Sequence, residues 1–147
     1  MRTLLQRVLS AEVAVDGACV GRIGPGLLAF LGVGKGDTEA QVDWTAEKIG
    51  NLRIFKDEAD KMNLSVRDTH GAVLLVSQFT LYAQTSKGRR PSFTDAALPD
   101  EARRLYELCA ERLRAAGLTV QTGIFAAEMK VSLVNDGPVT LWLDSAG

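Results

Sequence analysis

The chain has 147 residues, of which 46% are apolar and 24% charged, values that suit one folded domain and exclude a disordered segment or a fibre. At this length about two-thirds of the unfolded chain's surface becomes buried, so a core without covalent staples is feasible. With 17 basic and 18 acidic residues the net charge is −1, which excludes the global positive field usual in nucleic-acid binders and leaves such contacts to local clusters.

In chain order, Met1-Arg2-Thr3-Leu4-Leu5-Gln6-Arg7 places a charge within the first apolar stretch and shows no small-residue cleavage site. No signal peptide is expected, and a cytoplasmic location is. Ala11, Val13 and Val15 alternate with Glu12, Ala14 and Asp16, Asp16-Gly17 offers a tight turn, and Ala18 to Ile23 reads as the returning strand. Leu27 to Val33 is an unbroken apolar run, as in a strand buried on both faces. Asp37 or Thr38 then caps a helix on which Val42, Thr45, Ile49 and Leu52 recur, with Ala46 widening the stripe. Residues 56–63 are polar and read as a loop, followed by a second buried strand from Val73 to Phe79. Gly88 and Pro91 break the irregular stretch 83–94.

A second helix is expected from about Asp100 to Ala116, with Pro99 near its start and Gly117 at its end. Ala102, Leu105, Tyr106, Cys109 and Leu113 form its apolar face. Strands return over Leu118–Phe125 and through the alternation Met129, Val131, Leu133. Asn135-Asp136-Gly137-Pro138 then reads as a turn, and Val139 to Leu143 closes the chain. No apolar run approaches the roughly 18 residues of a membrane span. No repeat or linker divides the sequence. The expectation is one α/β domain over 1–147, a mixed, strongly curved, barrel-like sheet with two packed helices.

The chemistry is limited by what is missing. Cys19 and Cys109 are the only cysteines and read as two buried thiols rather than a bridge. His70, the only histidine, sits in the turn-like Asp68-Thr69-His70-Gly71. A Ser-His-Asp or Cys-His system therefore lacks a well-placed imidazole, and no metal-ligand spacing is present, so neither metal nor cofactor is expected. Gly34-Lys35-Gly36 lacks the further glycine and the Lys-Ser/Thr pair of a phosphate-binding loop.

Three segments stand out. Ser77-Gln78-Phe79-Thr80 either marks where a buried strand surfaces or presents side chains and free N–H groups to a cleft where an ester carbonyl is polarised. Asn135-Asp136-Gly137-Pro138 has turn composition, and most X-Pro bonds in folded proteins are trans. Lys87-Gly88-Arg89-Arg90, beside Phe93, is either a solvated loop or a site that holds phosphates and stacks a base of a single-stranded RNA end. Arg103, Arg104, Arg112 and Arg114 read as the solvated face of the second helix.

These residues resemble the D-aminoacyl-tRNA deacylase family over nearly the whole chain. The signature segments are Ser77-Gln78-Phe79-Thr80-Leu81 and Asn135-Asp136-Gly137-Pro138-Val139-Thr140. Lys61-Met62-Asn63-Leu64-Ser65, Gly88-Arg89-Arg90-Pro91-Ser92-Phe93 and Gly123-Ile124-Phe125-Ala126-Ala127-Glu128-Met129 support them in the same order. Glu128 stands where the family commonly has Asp, and Tyr82-Ala83-Gln84 replaces a stretch that often carries one.

The resemblance implies hydrolysis of the ester joining a D-amino acid to the 3′-terminal adenosine of tRNA, and removal of mischarged glycine, without a cofactor. It implies a homodimer with shared active sites, whose partner molecule is the aminoacylated end of tRNA, with no membrane and no DNA. Ser77, Gln78, Phe79 and Thr80 would form the reaction centre, and Lys87, Arg89, Arg90 and Phe93 are the candidate tRNA contacts. Gly137 and Pro138, joined by a cis bond in the family, would enter the partner subunit's pocket and reject L side chains by clash. Attack would come from water assisted by the ribose 2′-hydroxyl, with backbone N–H groups near Phe79 and Thr80 stabilising the oxyanion. Thr80 as a nucleophile is the competing mechanism. The alternative functions are a Ser/Thr-nucleophile esterase on small aminoacyl esters and a non-catalytic RNA-end-binding module.

Overall fold

Strand β1 (Arg2–Val15) is the spine of the computed structural model, which describes residues 1–147. Its first half pairs antiparallel with β3 (Gly26–Gly32), and its second half with β2 (Ala18–Ile23) beyond the Asp16-Gly17 turn. Along its other edge runs β8 (Lys130–Asp144), also antiparallel. A strand this long has to serve two cores, and a phase change lets it do so. Leu5 faces one core while Val8, Ala11 and Val13 face the other. The shift of register between Val8 and Ser10 takes Leu9 out of the pairing with β8, so Ala11 falls on the same face as Val8 although the two are three positions apart.

Beyond β3 the sheet becomes parallel: β6 (Ala72–Ser77) pairs with β3, and β7 (Thr119–Thr122) with β6. The apolar runs predicted for β3 and β6 are buried on both faces, as expected. Leu27, Ala29, Leu31, Val73 and Leu75 pack under the helices, whereas Leu28, Leu74 and Val76 point into the curl of the sheet. The curl is nearly closed because β2 leans across β6 and β7. A Cβ on Gly21 would lie 2.6 Å from the Thr122 carbonyl oxygen, so only glycine permits that approach.

Helices α1 (Glu39–Asn51) and α2 (Pro99–Ala115) pack together over the outer core. Thr38 caps α1 with a complete capping box, its hydroxyl accepting from the Ala40 N–H while Gln41 reaches back to the Thr38 N–H. Leu52 lies just past the last turn, and the remaining α1 stripe (Val42, Thr45, Ile49) is buried as its spacing predicts. Tyr106 of α2 donates to the Leu75 carbonyl at 2.7 Å, which ties the helix to β6. No helix is long and apolar enough to cross a membrane.

The structure corrects four expectations about elements. The polar stretch 56–63 is not only a loop, because β4 (Phe55–Lys56) and β5 (Met62–Leu64) form a small hairpin over it. The strand predicted through Phe79 stops at Ser77, and Phe79–Tyr82 is a 3-10 turn. Cys109 is buried as expected but Cys19 is exposed, since it lies on the outer face of an edge strand. Asn135-Asp136-Gly137-Pro138 does not reverse the chain. Both of its flanks pair with β1 in the same direction, and the segment is an extrusion from one continuous strand.

Candidate active site

Parallel strands deliver their C-terminal ends to one side of a sheet, and ligands characteristically bind there. A cleft of about 740 Å³ opens at that side, a size typical of small-molecule sites. Val33 reaches it from beyond β3, Ser77-Gln78-Phe79 from the end of β6, and Phe125-Ala126-Ala127 from beyond β7. The start of α2 supplies Leu98, Pro99 and Ala102, and Val76, Met129 and Val131 line the side toward the inner core. The lining is largely apolar, with Ser77, Gln78, Thr94 and Lys35 the polar exceptions.

The end of β6 is built to present backbone donors. Gln78 is held by its N–H bond to the Leu31 carbonyl at 2.8 Å, then the chain enters the 3-10 turn. Phe79 and Thr80 head that turn, so the turn's own i→i+3 bonds leave their N–H groups unused. The Gln78 amide donates to the Thr80 hydroxyl. Phe79, 54% exposed, meets the edge of Phe93 with centroids 5.1 Å apart, forming an aromatic lip.

Of the residues singled out from the sequence, the cleft gathers Ser77, Gln78, Phe79 and Phe93. Thr80 is adjacent but does not line it. Lys87, Arg89 and Arg90 do not line it either; they sit on an exposed loop closed by the Gln84–Ser92 bridge. His70 lies in the turn after β5, away from the cleft. No three His, Cys, Asp or Glu side chains are brought together in a way that would hold a metal ion. Burial pushes the Cys109 thiol up to about 12. It also raises the Tyr106 hydroxyl well above its ordinary range, and both groups are core components that do not line the cleft.

Gly137 and Pro138, joined by a cis peptide bond, are exposed and absent from the cleft of their own chain. The sequence explains how their loop is held. Asp136 to Val139 stand opposite the single residue Arg7 of β1, because Gln6 pairs with Thr140 and Val8 with Asn135. Asn135 closes the base of this extrusion. Its side-chain oxygen accepts from the Val139 N–H at 2.8 Å, and its amide donates to the Val139 carbonyl at 3.1 Å and the Thr140 hydroxyl at 3.0 Å. Gly137 has φ +134°, and a Cβ there would meet Val139 Cγ2 at 2.9 Å and Arg7 Nη2 at 3.0 Å.

Arg7, only 3% exposed, is the anchor that reading the sequence missed. It donates to the Asp136 carbonyl at 3.0 Å and the Ile54 carbonyl at 2.7 Å, with the Asp136 carboxylate 3.4 Å away. Its one sequence signal was a cation amid the apolar positions of β1. That signal is weak without knowing what lies opposite. Other lining residues that the sequence did not single out, among them Lys35, Thr94 and Ala96 to Pro99, are in loops and at a helix start, where periodicity carries no information.

Comparison with known proteins follows the same outline. A family model described as D-Tyr-tRNA(Tyr) deacylase matches residues 4–144. A Myxococcus xanthus protein described as a D-aminoacyl-tRNA deacylase is 62% identical over 147 residues, covering 100% of this chain and 96% of that one. A Ruegeria protein of the same description is 61% identical over 145 residues, covering 99% and 93%. Among solved structures, one described as the c-Myc DNA unwinding element binding protein aligns with a TM-score of 0.92 at 39% identity, covering 99% of both chains. Another, described as a probable eukaryotic D-amino acid tRNA deacylase, has a TM-score of 0.83 at 17% identity over 97% of each chain and shares the fold.

Proposed function

This chain belongs to the D-Tyr-tRNA(Tyr) deacylase family, hydrolases of the aminoacyl-tRNA ester bond, and on that premise we propose that it is an editing enzyme of the cytoplasm. It releases D-amino acids and mischarged glycine from the 3′-terminal adenosine of tRNA and spares L-aminoacyl-tRNA. The observation that carries this reading is the composition of the cleft. At the end of β6, where the head of a 3-10 turn leaves backbone N–H groups unused, lies a largely apolar space lined by no imidazole, thiol or carboxylate.

Such a site catalyses by placement. The ester carbonyl seats against the N–H groups of Phe79 and Thr80, which stabilise its developing negative charge without reorganising. Ser77 and Gln78 orient it. The attacking water is positioned by the substrate's own ribose 2′-hydroxyl, so the protein supplies geometry rather than a base. Attack by Thr80 is disfavoured because its hydroxyl oxygen is engaged as acceptor by the Gln78 amide.

Selectivity is assigned to Gly137 and Pro138 of a partner subunit. Their backbone carbonyls accept from the substrate's α-ammonium, and with that group fixed an L side chain strikes the loop while a D side chain points to open space. Glycine, with neither, passes. In support, the loop is exposed, lies outside its own cleft and is anchored through Arg7 and Asn135. Exposed Leu9 and Val134 border it, as apolar residues of a twofold interface would.

Purified protein incubated with D-Tyr-tRNA and L-Tyr-tRNA tests the proposal. Rapid release of D-tyrosine with L-Tyr-tRNA largely intact is expected. Equal rates on both refute the role of the loop. Activity confined to small esters identifies a nucleophile esterase instead, and retention of tRNA without hydrolysis identifies an RNA-end-binding module.

A further inference from the structure

If an RNA end occupies the cleft, its backbone phosphates need cations where the strand leaves. The most basic segment, Lys87 to Arg90, does not line the cleft. Two other cations are better placed. Lys35 is the only charged residue in the lining, and its side chain makes no ion pair or hydrogen bond within the protein. Arg103 lies on α2 directly after Ala102 of the wall, with its guanidinium carbon 5.1 Å from the centroid of Phe125, itself a lining residue.

The remaining arginines of α2 are occupied. Arg104 pairs with Glu101 at 2.8 Å, Arg112 with Asp43 at 2.9 Å, and Arg114 donates to the Val120 carbonyl at 3.2 Å. Arg103 alone among them makes no hydrogen bond or ion pair. Asp100 and Glu107 share its helix at i−3 and i+4, yet neither forms a salt bridge with it. A guanidinium held over an aromatic ring by cation–π attraction spends none of its N–H donors on the ring's face, so they remain available to a phosphate. The Lys35 N–H bonds the Asp95 carbonyl at 2.9 Å, so the two cations stand at the two ends of the wall segment Ala96–Ala102.

We propose that Lys35 and Arg103 bind backbone phosphates of the RNA strand leaving the cleft, which directs that strand along the first turns of α2 rather than over the Lys87–Arg90 loop. This rests on the reading above, in which the substrate is an aminoacylated RNA end.

The test uses full-length protein carrying Lys35→Gln, Arg103→Gln or both, with Arg67→Gln as a change of equal charge remote from the cleft. Two readouts are taken. Binding of uncharged tRNA across a salt titration reports phosphate contacts whether or not hydrolysis occurs. Each cleft variant should make the plot of log affinity against log salt shallower by about 0.7, the value of one contact to a single strand, and Arg67→Gln should leave it as in wild type. Hydrolysis is then compared between D-Tyr-tRNA and the phosphate-free D-tyrosyl ester of adenosine. KM on tRNA should rise roughly tenfold per variant, in line with loss of one charge-assisted bond, and by at least about fivefold more than on the ester. Arg103→Lys should restore part of the slope.

Unaltered salt slopes in both cleft variants would overturn the proposal. So would equal losses on tRNA and ester. Altered slopes in a protein that hydrolyses neither substrate would uphold the phosphate contacts while removing the deacylase reading.

Discussion

Replacing Arg7 by methionine keeps an unbranched apolar stem, shorter than arginine's, and removes every donor. In the folded protein the Ile54 and Asp136 carbonyls each lose a charge-assisted hydrogen bond. Bonds of this kind contribute about 1.5–3 kcal/mol each when one partner is removed from a buried site. Two terms reduce the total. The cost of desolvating the guanidinium disappears along with it, and the Asp136 carboxylate, 44% exposed, contributes little through its 3.4 Å contact because solvent screens it. The expected net loss is about 2–3 kcal/mol, equivalent to a fall in Tm of roughly 4–12 °C for a chain of this size. The same change frees the loop that holds Gly137 and Pro138. Thermal unfolding followed by circular dichroism gives the first quantity. The ratio of D-Tyr to L-Tyr release from tRNA, at a temperature where the variant is folded, gives the second and should fall by tenfold or so, about 1.4 kcal/mol of discrimination. A variant that melts with wild type and keeps its enantiomer ratio would refute the anchoring argument.

In a heterodimer of Gln78→Ala and Gly137→Trp subunits, purified through two tags, one site combines both lesions and the other is intact. Activity near half that of wild type is expected, and an inactive heterodimer would place the loop's action within its own subunit. Thr80→Ala should retain turnover while a 2′-deoxy terminal adenosine reacts poorly; a trapped acyl-enzyme on Thr80 would reverse the mechanism. A colorimetric disulfide reagent should modify Cys19 promptly and Cys109 only on unfolding, since burial raises the latter's thiol to about 12 and denies access. Two equally fast thiols would contradict that burial. His70→Ala should keep activity within about tenfold, below the 10²–10⁴ expected for loss of a general base.

Local order determined much of this protein in advance. The runs at β3 and β6, the cap at Thr38, the stripe of α2 and the turn at Asp16-Gly17 all depend on neighbours within a few residues, so periodicity and residue type suffice to place them. The Ser77-Gln78-Phe79 segment was legible for the same reason, since polar residues ending an apolar strand point to an exposed strand end. What needed the tertiary structure is whatever depends on the residue opposite. Asn135-Asp136-Gly137-Pro138 has the composition of a turn whether the chain reverses or bulges, and only its pairing with β1 on both sides makes it an extrusion facing Arg7. Arg103 and Arg104 are adjacent and alike in sequence, yet one is spent on Glu101 and the other lies free on Phe125. A sequence records which groups exist; partners distant in the chain decide which of them are left unpaired and where they face.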